Sequence, residues 1–508
     1  MSTIKISKLS FAYEGSSKEI FQQFDLNIDS SWKLGLVGRN GRGKTTFLNL
    51  LLGKLTGTGK IFSTLKFNYF PQNISDPENL TIYELQELAT VEQWELEREL
   101  TLLHLDTALL WQPFSSLSGG EKTKMLLALA FADKDGFPLL DEPTNHLDEA
   151  SREHVANYLQ HHHSGYILVS HDRAFLNQTT DHTLAIENQE IHLYQGNFEQ
   201  YEEVKRLRDE YNQAKNERLK GEISRLTQVR GNYKDWSHTI ENQKKSGQKT
   251  AHVINRRTQL NKGAIGHKAE KMMRKAMNVE RRIEKNIAEK QGLMTNIEES
   301  PMLTMNFVPD HHHTLLPCKN FKLQYDDDKT ALFENQTFLI NNHEITAIIG
   351  SNGVGKTSLL KNIFSNSENL TRTGELNLVE DLKISYLPQE FSKYCGKLEE
   401  FAEQHQLSYE MLLNNLKKMG FPREDFALRI EEMSMGQQKR VAIAKSLTEE
   451  ANLYLWDEPA NYLDVFNQDQ LIKLLKEIKP AMILIEHDKY FVDQVADQII
   501  ALKKIEKI

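Results

Sequence analysis

WKLGLVGRNGRGKTT, residues 32–46, begins as an apolar strand and ends in a glycine-rich turn that opens a helix. Trp32 to Val37 supplies the strand. Gly38 to Thr45 then spells G-x-x-x-x-G-K-[ST], and Phe47, Leu48, Leu51 and Leu52 continue at helical spacing. Gly38, Gly41 and Gly43 let backbone N–H groups close around phosphate oxygens, and the helix N-terminus adds partial positive charge. Lys44 is placed to reach the β- and γ-phosphates of a nucleotide, and the Thr45 hydroxyl to ligate Mg²⁺, with Asn40 and Thr46 completing the loop. The competing reading is a chance glycine turn before a helix. Recurrence argues against it: GSNGVGKTS, Gly350 to Ser358, places Gly350, Asn352, Gly353, Gly355, Lys356, Thr357 and Ser358 in the same roles.

The repeat extends well beyond the loop. Lys44 and Lys356 are 312 residues apart, Gln72 and Gln389 are 317 apart, and the pairs Asp141/Asp457 and His171/His487 are each 316 apart. Residues 1–200 and 301–508 hold the two copies, so residues 201–300 are an insertion between them. In the first copy Ile4 to Phe11 reads as a strand, followed by Tyr13. YFPQ carries Gln72, and Ile82 to Leu105 reads as helical. SLSGGEKTKM (Ser116 to Met125) and FPLLDEPTNHLD (Phe137 to Asp148) follow. An apolar strand ending in Asp141-Glu142 puts one carboxylate on Mg²⁺ through water and leaves the other to orient a water for attack on the γ-phosphate. ILVSHD places His171 at a further strand end. A lone histidine there is usually structural, but as the last member of an ordered series it reads as functional.

This series resembles the ATP-binding cassette superfamily over both copies. Phosphate loop, Q-loop, LSGGE signature, Asp-Glu pair, D-loop and switch histidine occur in order, twice. The resemblance implies an α/β fold: two P-loop ATPase domains with helical subdomains, joined by an α-helical coiled-coil hairpin. It implies that Tyr13 and Tyr325 stack on adenine and that Gln72 and Gln389 sense the γ-phosphate. Thr45, Gln72 and Asp141 would hold Mg²⁺ in one copy, and Thr357, Gln389 and Asp457 in the other. Each signature would close over the opposite phosphate loop. One composite site then uses Lys44, Asp141, Glu142 and His171 with Ser434, Gly436 and Gln437. The other uses Lys356, Asp457, Glu458 and His487 with Ser118, Gly119 and Gly120. The second copy departs from the pattern in MSMGQQKR, where Met435 replaces Gly119, and in DEPANYLD, where Ala460 and Tyr462 replace Thr144 and His146. A side chain at Met435 intrudes where backbone should approach phosphate. Binding at both sites with unequal turnover is expected.

The inserted hundred residues carry 23 Lys/Arg against 14 Asp/Glu, a net of +9 in a chain whose net charge is −9. A basic arm on an acidic body suits a polyanionic partner. Val204, Leu207, Tyr211, Leu219, Ile223, Leu226, Val229, Tyr233 and Trp236 step by threes and fours, as do Ala269, Met272, Ala276, Val279, Ile283, Ile287, Met294 and Ile297. Two such seams pair as an antiparallel coiled coil, which could also be a mere spacer. Residues 237–266 show no strong periodicity and read as a tip loop. Lys244, Lys245, Lys249, Arg256, Arg257 and Lys262 face one acid there, Glu241, a composition suited to RNA.

At this point the resemblance narrows. Tandem cassettes, no membrane span and a charged linker after YQGNFEQY (Tyr194 to Tyr201) look like the ABC-F proteins, which act on the ribosome rather than in transport. The opening residues and long tip look like the antibiotic-resistance branch of Lsa/Vga type. Gln72 to Ser118 spans 46 positions and Gln389 to Ser434 spans 45, which argues against the extra arm of housekeeping members. The short segment from His487 to Ile508 argues against a long C-terminal extension. The resemblance implies a monomeric ATPase at the exit (E) site of the bacterial ribosome, touching large-subunit RNA and P-site tRNA. Its linker would reach toward the peptidyl-transferase centre and displace lincosamides, streptogramins A and pleuromutilins.

Two other functions compete with this one: a translation factor without drug resistance, and the tandem ATPase subunit of a membrane importer. An importer subunit has no use for a basic hairpin. No apolar run approaches the ~18–20 residues that span a bilayer, and MSTIKISKLSF has no apolar signal core, so a cytoplasmic protein is expected. Cys318 and Cys395 are too few for a disulfide framework. His161–His163 and His311–His313 could bind metal but read as polar surface runs.

Overall fold

The computed structural model describes residues 3–15, 19–133, 135–144, 147, 149–187, 189–250, 259–294, 301–325, 331–365, 370–391 and 393–504. They form two units: residues 1–201 with 300–508, and residues 202–299.

In the first unit one layered architecture is built twice. β1 (Thr3–Phe11), β2 (Phe21–Asp29), β3 (Lys33–Val37), α1 (Lys44–Leu51), β4 (Thr58–Phe62) and β5 (Lys66–Phe70) open the first cassette. A helical layer follows, α2 (Thr81–Leu88), α3 (Gln93–Leu102) and α4 (Gly119–Ala132). β6 (Gly136–Asp141), α5 (Glu149–His161), β7 (Tyr166–Val169), α6 (Arg173–Thr179), β8 (His182–Glu187) and β9 (Glu190–Gln195) complete it. β2-β1-β4 is an antiparallel sheet. The other six strands run β5-β6-β7-β3-β8-β9, parallel except for the β8–β9 hairpin.

The central parallel strands β6, β7 and β3 are apolar over their buried length because both faces are covered. Leu139, Ile167 and Leu184 point into the layer under Phe47 and the antiparallel sheet. Their neighbours Leu140, Leu168 and Ala185 point into the layer with Leu85, Leu96 and Met125. This is the two-residue period of a strand. The sequence offers no clear signal for β2, whose alternation is broken at Gln23 (φ 40°) in a bulged pairing with β1. The stretch expected as one helix, Ile82 to Leu105, is two. Chain leaves α2 at Ala89, and Glu92 starts α3 through a capping box with Glu95. His162 is no surface ligand: its ring packs 4.5 Å from Phe131, and Nε2 lies 3.6 Å from buried Glu99, which also accepts from the Tyr158 hydroxyl at 2.7 Å.

The linker comprises α7 (Phe198–Thr250) and α8 (Gln259–Gly292). Arg230 pairs with Glu284 at 3.0 Å, and Lys290 with Glu222, an antiparallel register. Ile283 is buried in that pairing, with Leu219, Ile223 and Leu226 half-buried. The seam does not extend back to Val204, Leu207 and Tyr211, which are exposed. In this register residues before about 220 have no counterpart in α8, which ends at Gly292. The expected tip loop is also corrected. Helix covers 237–250 and resumes at 259, because a polar stretch without proline needs no apolar stripe to be helical. Arg256 and Arg257 lie outside the described residues, as do the side chains of Lys244, Lys245, Lys249 and Lys262.

β10 (Thr314–Tyr325), β11 (Gln336–Asn341), β12 (Ile345–Ile349), α9 (Lys356–Phe364), β13 (Leu370–Leu376) and β14 (Ile384–Leu387) open the second cassette. α10 (Leu398–Gln404), α11 (Tyr409–Lys418), α12 (Met435–Thr448), β15 (Leu453–Asp457), α13 (Val465–Ile478), β16 (Met482–Ile485), α14 (Lys489–Val495) and β17 (Gln498–Ala501) follow. The sheets are β11-β10-β13 and the all-parallel β14-β15-β16-β12-β17. Trp456, fully buried one residue before Asp457, donates from Nε1 to the Ser446 hydroxyl at 2.8 Å. Trp456→Ala is expected to destabilise this cassette by about 3–5 kcal/mol through cavity formation. Denaturant unfolding followed by circular dichroism measures it, and a loss below about 1 kcal/mol contradicts this packing.

Candidate nucleotide sites

Each phosphate loop leaves its central strand and enters its helix through a glycine in the left-handed region, Gly43 at φ 98° and Gly355 at φ 100°. A Cβ on Gly43 would lie 2.6 Å from the Ile20 side chain, so only glycine serves there. Lys44 Nζ curls over the loop to the Gly38 carbonyl (2.8 Å) and Asn40 Oδ1 (3.1 Å). Lys356 Nζ does the same to Gly350 (2.7 Å) and Ser351 (3.2 Å). Beside the first loop the Thr45 hydroxyl donates to Asp141 Oδ2 at 3.0 Å, and Tyr69 donates to the same oxygen at 3.1 Å. Burial raises the Asp141 pKa, opposed by these two hydroxyls. Asp457 is wholly buried, with no hydrogen bond of normal geometry to either oxygen; burial pushes it up to about 6, opposed by the neighbouring Thr357 hydroxyl, Lys439 and Lys356. An orphaned carboxylate beside a phosphate loop fits a hard cation such as Mg²⁺.

Glu142 and Glu458 occupy the left-handed region at φ 54° and 49°, uncommon for non-glycine residues. Their N–H groups are pinned to Val169 (2.9 Å) and Ile485 (2.8 Å), which turns each carboxyl toward its switch histidine. Glu142 Oε1 lies 3.3 Å from His171 Nε2, and Glu458 Oε1 lies 3.6 Å from His487 Nε2. Burial, with Asp141 alongside, pushes Glu142 up to about 8, while burial holds His171 well below its usual value. Gln389 Nε2 donates to Glu458 Oε2 at 2.9 Å. Gln72 follows β5 with its side-chain oxygen buried and lacking a partner in the protein. Tyr13 and Tyr325 keep exposed rings, their hydroxyls 2.9 Å from Thr46 and Ser358.

The first cavity, about 390 Å³, brings Lys44, Thr45, Asp141, Glu142 and His171 together with Ser434, Gly436 and Gln437. Ser434 caps α12 through a capping box with Gln437, so the signature is also a helix start. A Cβ on Gly436 would lie 3.2 Å from the Tyr462 carbonyl and 3.6 Å from Asn40. Met435 is not the intruder expected from the sequence. As the first residue of α12 it turns away from that loop and lines the other cavity, half-exposed. The second cavity, about 760 Å³, gathers Lys356, Thr357, Ser358, Gln389, Glu458 and His487 with Thr144 and Leu147 of the first cassette. Ser118, Gly119 and Gly120 are not among its lining residues. Gly120 instead faces Leu147 and Ser151 of its own cassette, in keeping with the wider second cavity.

The altered D-loop has a structural explanation. Thr144 sits 3.4 Å from the Ser170 hydroxyl, but their repeat mates are Ala460 and Glu486, and the Glu486 carboxylate accepts the Ala460 N–H at 2.9 Å. Glu486 also accepts from the His487 N–H at 2.7 Å, and burial raises it to about 7. His146 lies outside the described residues. Sequence reading missed Glu486, Tyr69, Arg152 and Lys439, whose Nζ donates to the Glu458 carbonyl at 2.7 Å. Comparing the copies position by position would have flagged three of them, since Ser170, Gln468 and Thr123 are the mates of Glu486, Arg152 and Lys439.

The family described as ABC transporter matches residues 21–145 and 333–461, half of the chain, and the chain belongs to that family. It is homologous to the ribosome protection protein VmlR of Bacillus subtilis (strain 168), 28% identical over 512 residues, covering 98% of this chain and 86% of that one. The erythromycin resistance ATP-binding protein MsrA of Staphylococcus epidermidis is 27% identical over 484 residues, with 93% of each chain covered. The solved structure of RNase-L Inhibitor shares the tandem fold, with TM-score 0.62 and 20% identity over 98% of this chain and 88% of that one.

Glu142→Gln and Glu458→Gln are each expected to retain ATP binding and to lower steady-state ATPase activity by different amounts, since the two sites are built differently. Equal rates for the two variants contradict that inequality. Glu142 also makes a pH signature. Its pKa is raised in the folded chain, so its contribution to stability is full below the unfolded value and is lost as pH rises through about 8. Glu142→Gln removes this loss, so its melting temperature should gain on the parent as pH rises from 5 to 8. A gap independent of pH contradicts the buried neutral carboxyl.

Proposed function

We propose that this chain is an ATP-driven ribosome-protection protein of the ABC-F type. It hydrolyses ATP to ADP and phosphate, works in the cytoplasm as a monomer, and pairs its two cassettes intramolecularly. It occupies the exit-site region of the bacterial ribosome beside P-site tRNA, and its linker dislodges drugs at the peptidyl-transferase centre. Lincosamides, streptogramins A and pleuromutilins are the classes expected from the Lsa/Vga-like features. The observation carrying this reading is the near full-length match to a ribosome protection protein, with the basic insertion included in the matched span. Among the described residues no helix is long and apolar enough to cross a membrane; the basic insertion, for which an importer's ATPase subunit has no use, supports the ribosome over an importer.

Lys44 and Lys356 would hold the β- and γ-phosphates, with Ser434, Gly436 and Gln437 closing over the first nucleotide. Thr45, Asp141 and Gln72, and Thr357, Asp457 and Gln389, would hold Mg²⁺, which supplies positive charge against the phosphate oxygens. Glu142 and Glu458 orient the attacking water, and His171 and His487 hold those carboxyl groups from the far side.

The double variant Glu142→Gln/Glu458→Gln is expected to stay on ribosomes when ATP is present and to inhibit translation. Pelleting with ATP tests this, and normal release counts against the mechanism. Deleting 244–257 should leave ATPase activity of the isolated protein nearly unchanged while abolishing growth in lincosamide. Each lost phosphate contact should also lower the slope of log K against log salt by roughly 0.7–0.9. Full resistance of the deletion strain, at equal soluble protein, removes the tip from the mechanism.

A further inference from the structure

The loops carrying His171 and His487 meet at one arginine. Arg152, on α5, lines both the 390 Å³ and the 760 Å³ cavity. Its Nη1 donates to Asp172 Oδ2 at 2.9 Å, the residue after His171. The same nitrogen lies 3.5 Å from the backbone carbonyl of His487. The repeat mate of Arg152 is Gln468, and among the described residues it makes no mirror-image link. Its buried amide donates to the Ala460 and Leu463 carbonyls of its own cassette, at 3.4 and 3.5 Å. The Asp172 carboxylate caps α6, accepting the Phe175 N–H at 2.9 Å, so the guanidinium is anchored to a fixed group on the first side. On the second side stands Asp488, buried and within electrostatic range of Asp172. Two carboxylates from opposite cassettes repel across this interface, and Arg152, with Arg173, offsets that repulsion.

We propose that Arg152 is a positioning residue that couples the two ATP sites, tying the switch loop of the first to the switch loop of the second. Occupancy that shifts one loop then changes the affinity of the other site, and the effect is reciprocal by linkage. The proposal rests on reading both cavities as ATP sites. Its asymmetry is built into the chain, because the link is made from one cassette only.

The test uses the full chain made hydrolysis-deficient by Glu142→Gln/Glu458→Gln, titrated calorimetrically with ATP and Mg²⁺. Lys44→Ala and Lys356→Ala in that background give the affinity of each site alone, and the two-site titration gives the coupling factor. With Arg152 present a factor of roughly fivefold or more is expected, and with Arg152→Gln a factor within about twofold of one. Because Arg152 lines both cavities, each variant's own single-site affinities are the reference for its factor: loss of the factor marks coupling, whereas a purely structural role would weaken both affinities and leave the factor alone. Asp172→Asn, which keeps the capping oxygen but removes the anchoring charge, should lose coupling in the same way and serves if Arg152→Gln folds poorly. Arg152→Lys should retain part of it. An unchanged factor in both Arg152→Gln and Asp172→Asn overturns the proposal alone. No ATP binding in the titrated parent overturns the site reading and the proposal with it.

Discussion

Asp464 holds the two cassettes to one another at the first site. One oxygen accepts the Asn467 N–H at 2.8 Å and so caps α13; the other accepts the backbone N–H of Asn40, in the first phosphate loop, at 2.6 Å. A carboxylate that is 3% exposed and serves two donors has little freedom to leave either. The Asn40 side chain adds a second bond across the interface, to the Tyr462 carbonyl at 3.2 Å, and the Arg39 guanidinium lies 4.9 Å over the Phe466 ring. These contacts bring Ser434 and Gly436 to a loop some four hundred positions earlier in the chain. The composite site follows from them.

The two sites are related by repetition but not by chemistry. Asp141 is held by two hydroxyls at 3.0 and 3.1 Å, whereas its mate Asp457 has Thr357, Lys439 and Lys356 beside it but no hydrogen bond of normal geometry, and the Tyr386 hydroxyl, mate of Tyr69, is buried without one. A hydroxyl pair, Thr144 and Ser170, is exchanged for a carboxylate and a backbone N–H at Glu486 and Ala460. Buried Lys439, its pKa lowered to about 8 by burial, supports the Glu458 carbonyl, where the repeat mate of Lys439 in the first cassette is Thr123.

Much of this was legible in the sequence because a phosphate loop has few solutions. Gly43, Lys44, Thr45 and Asp141 are forced by turn geometry and by the charge of the ligand, and the strand–helix alternation around them defines the layers. Other features depend on which way a side chain turns. Met435 occupies the expected signature position, yet its side chain leaves the first site for the second. Arg152 looks like an ordinary surface residue of a helix until the second cassette is laid against it. The central stretch misled for a different reason. Lack of apolar periodicity reads as loop, but α7 runs to Thr250, and a solvated helix with polar residues all round carries no 3.6-residue apolar stripe for a sequence to reveal.

The most direct measurement is the dissociation rate of radiolabelled lincosamide from purified bacterial ribosomes carrying P-site tRNA, with and without this protein. The account predicts faster release when protein and ATP are both present, and no acceleration with protein alone. A dissociation rate unchanged by protein and ATP, at concentrations where the protein pellets with the ribosomes, would contradict drug displacement.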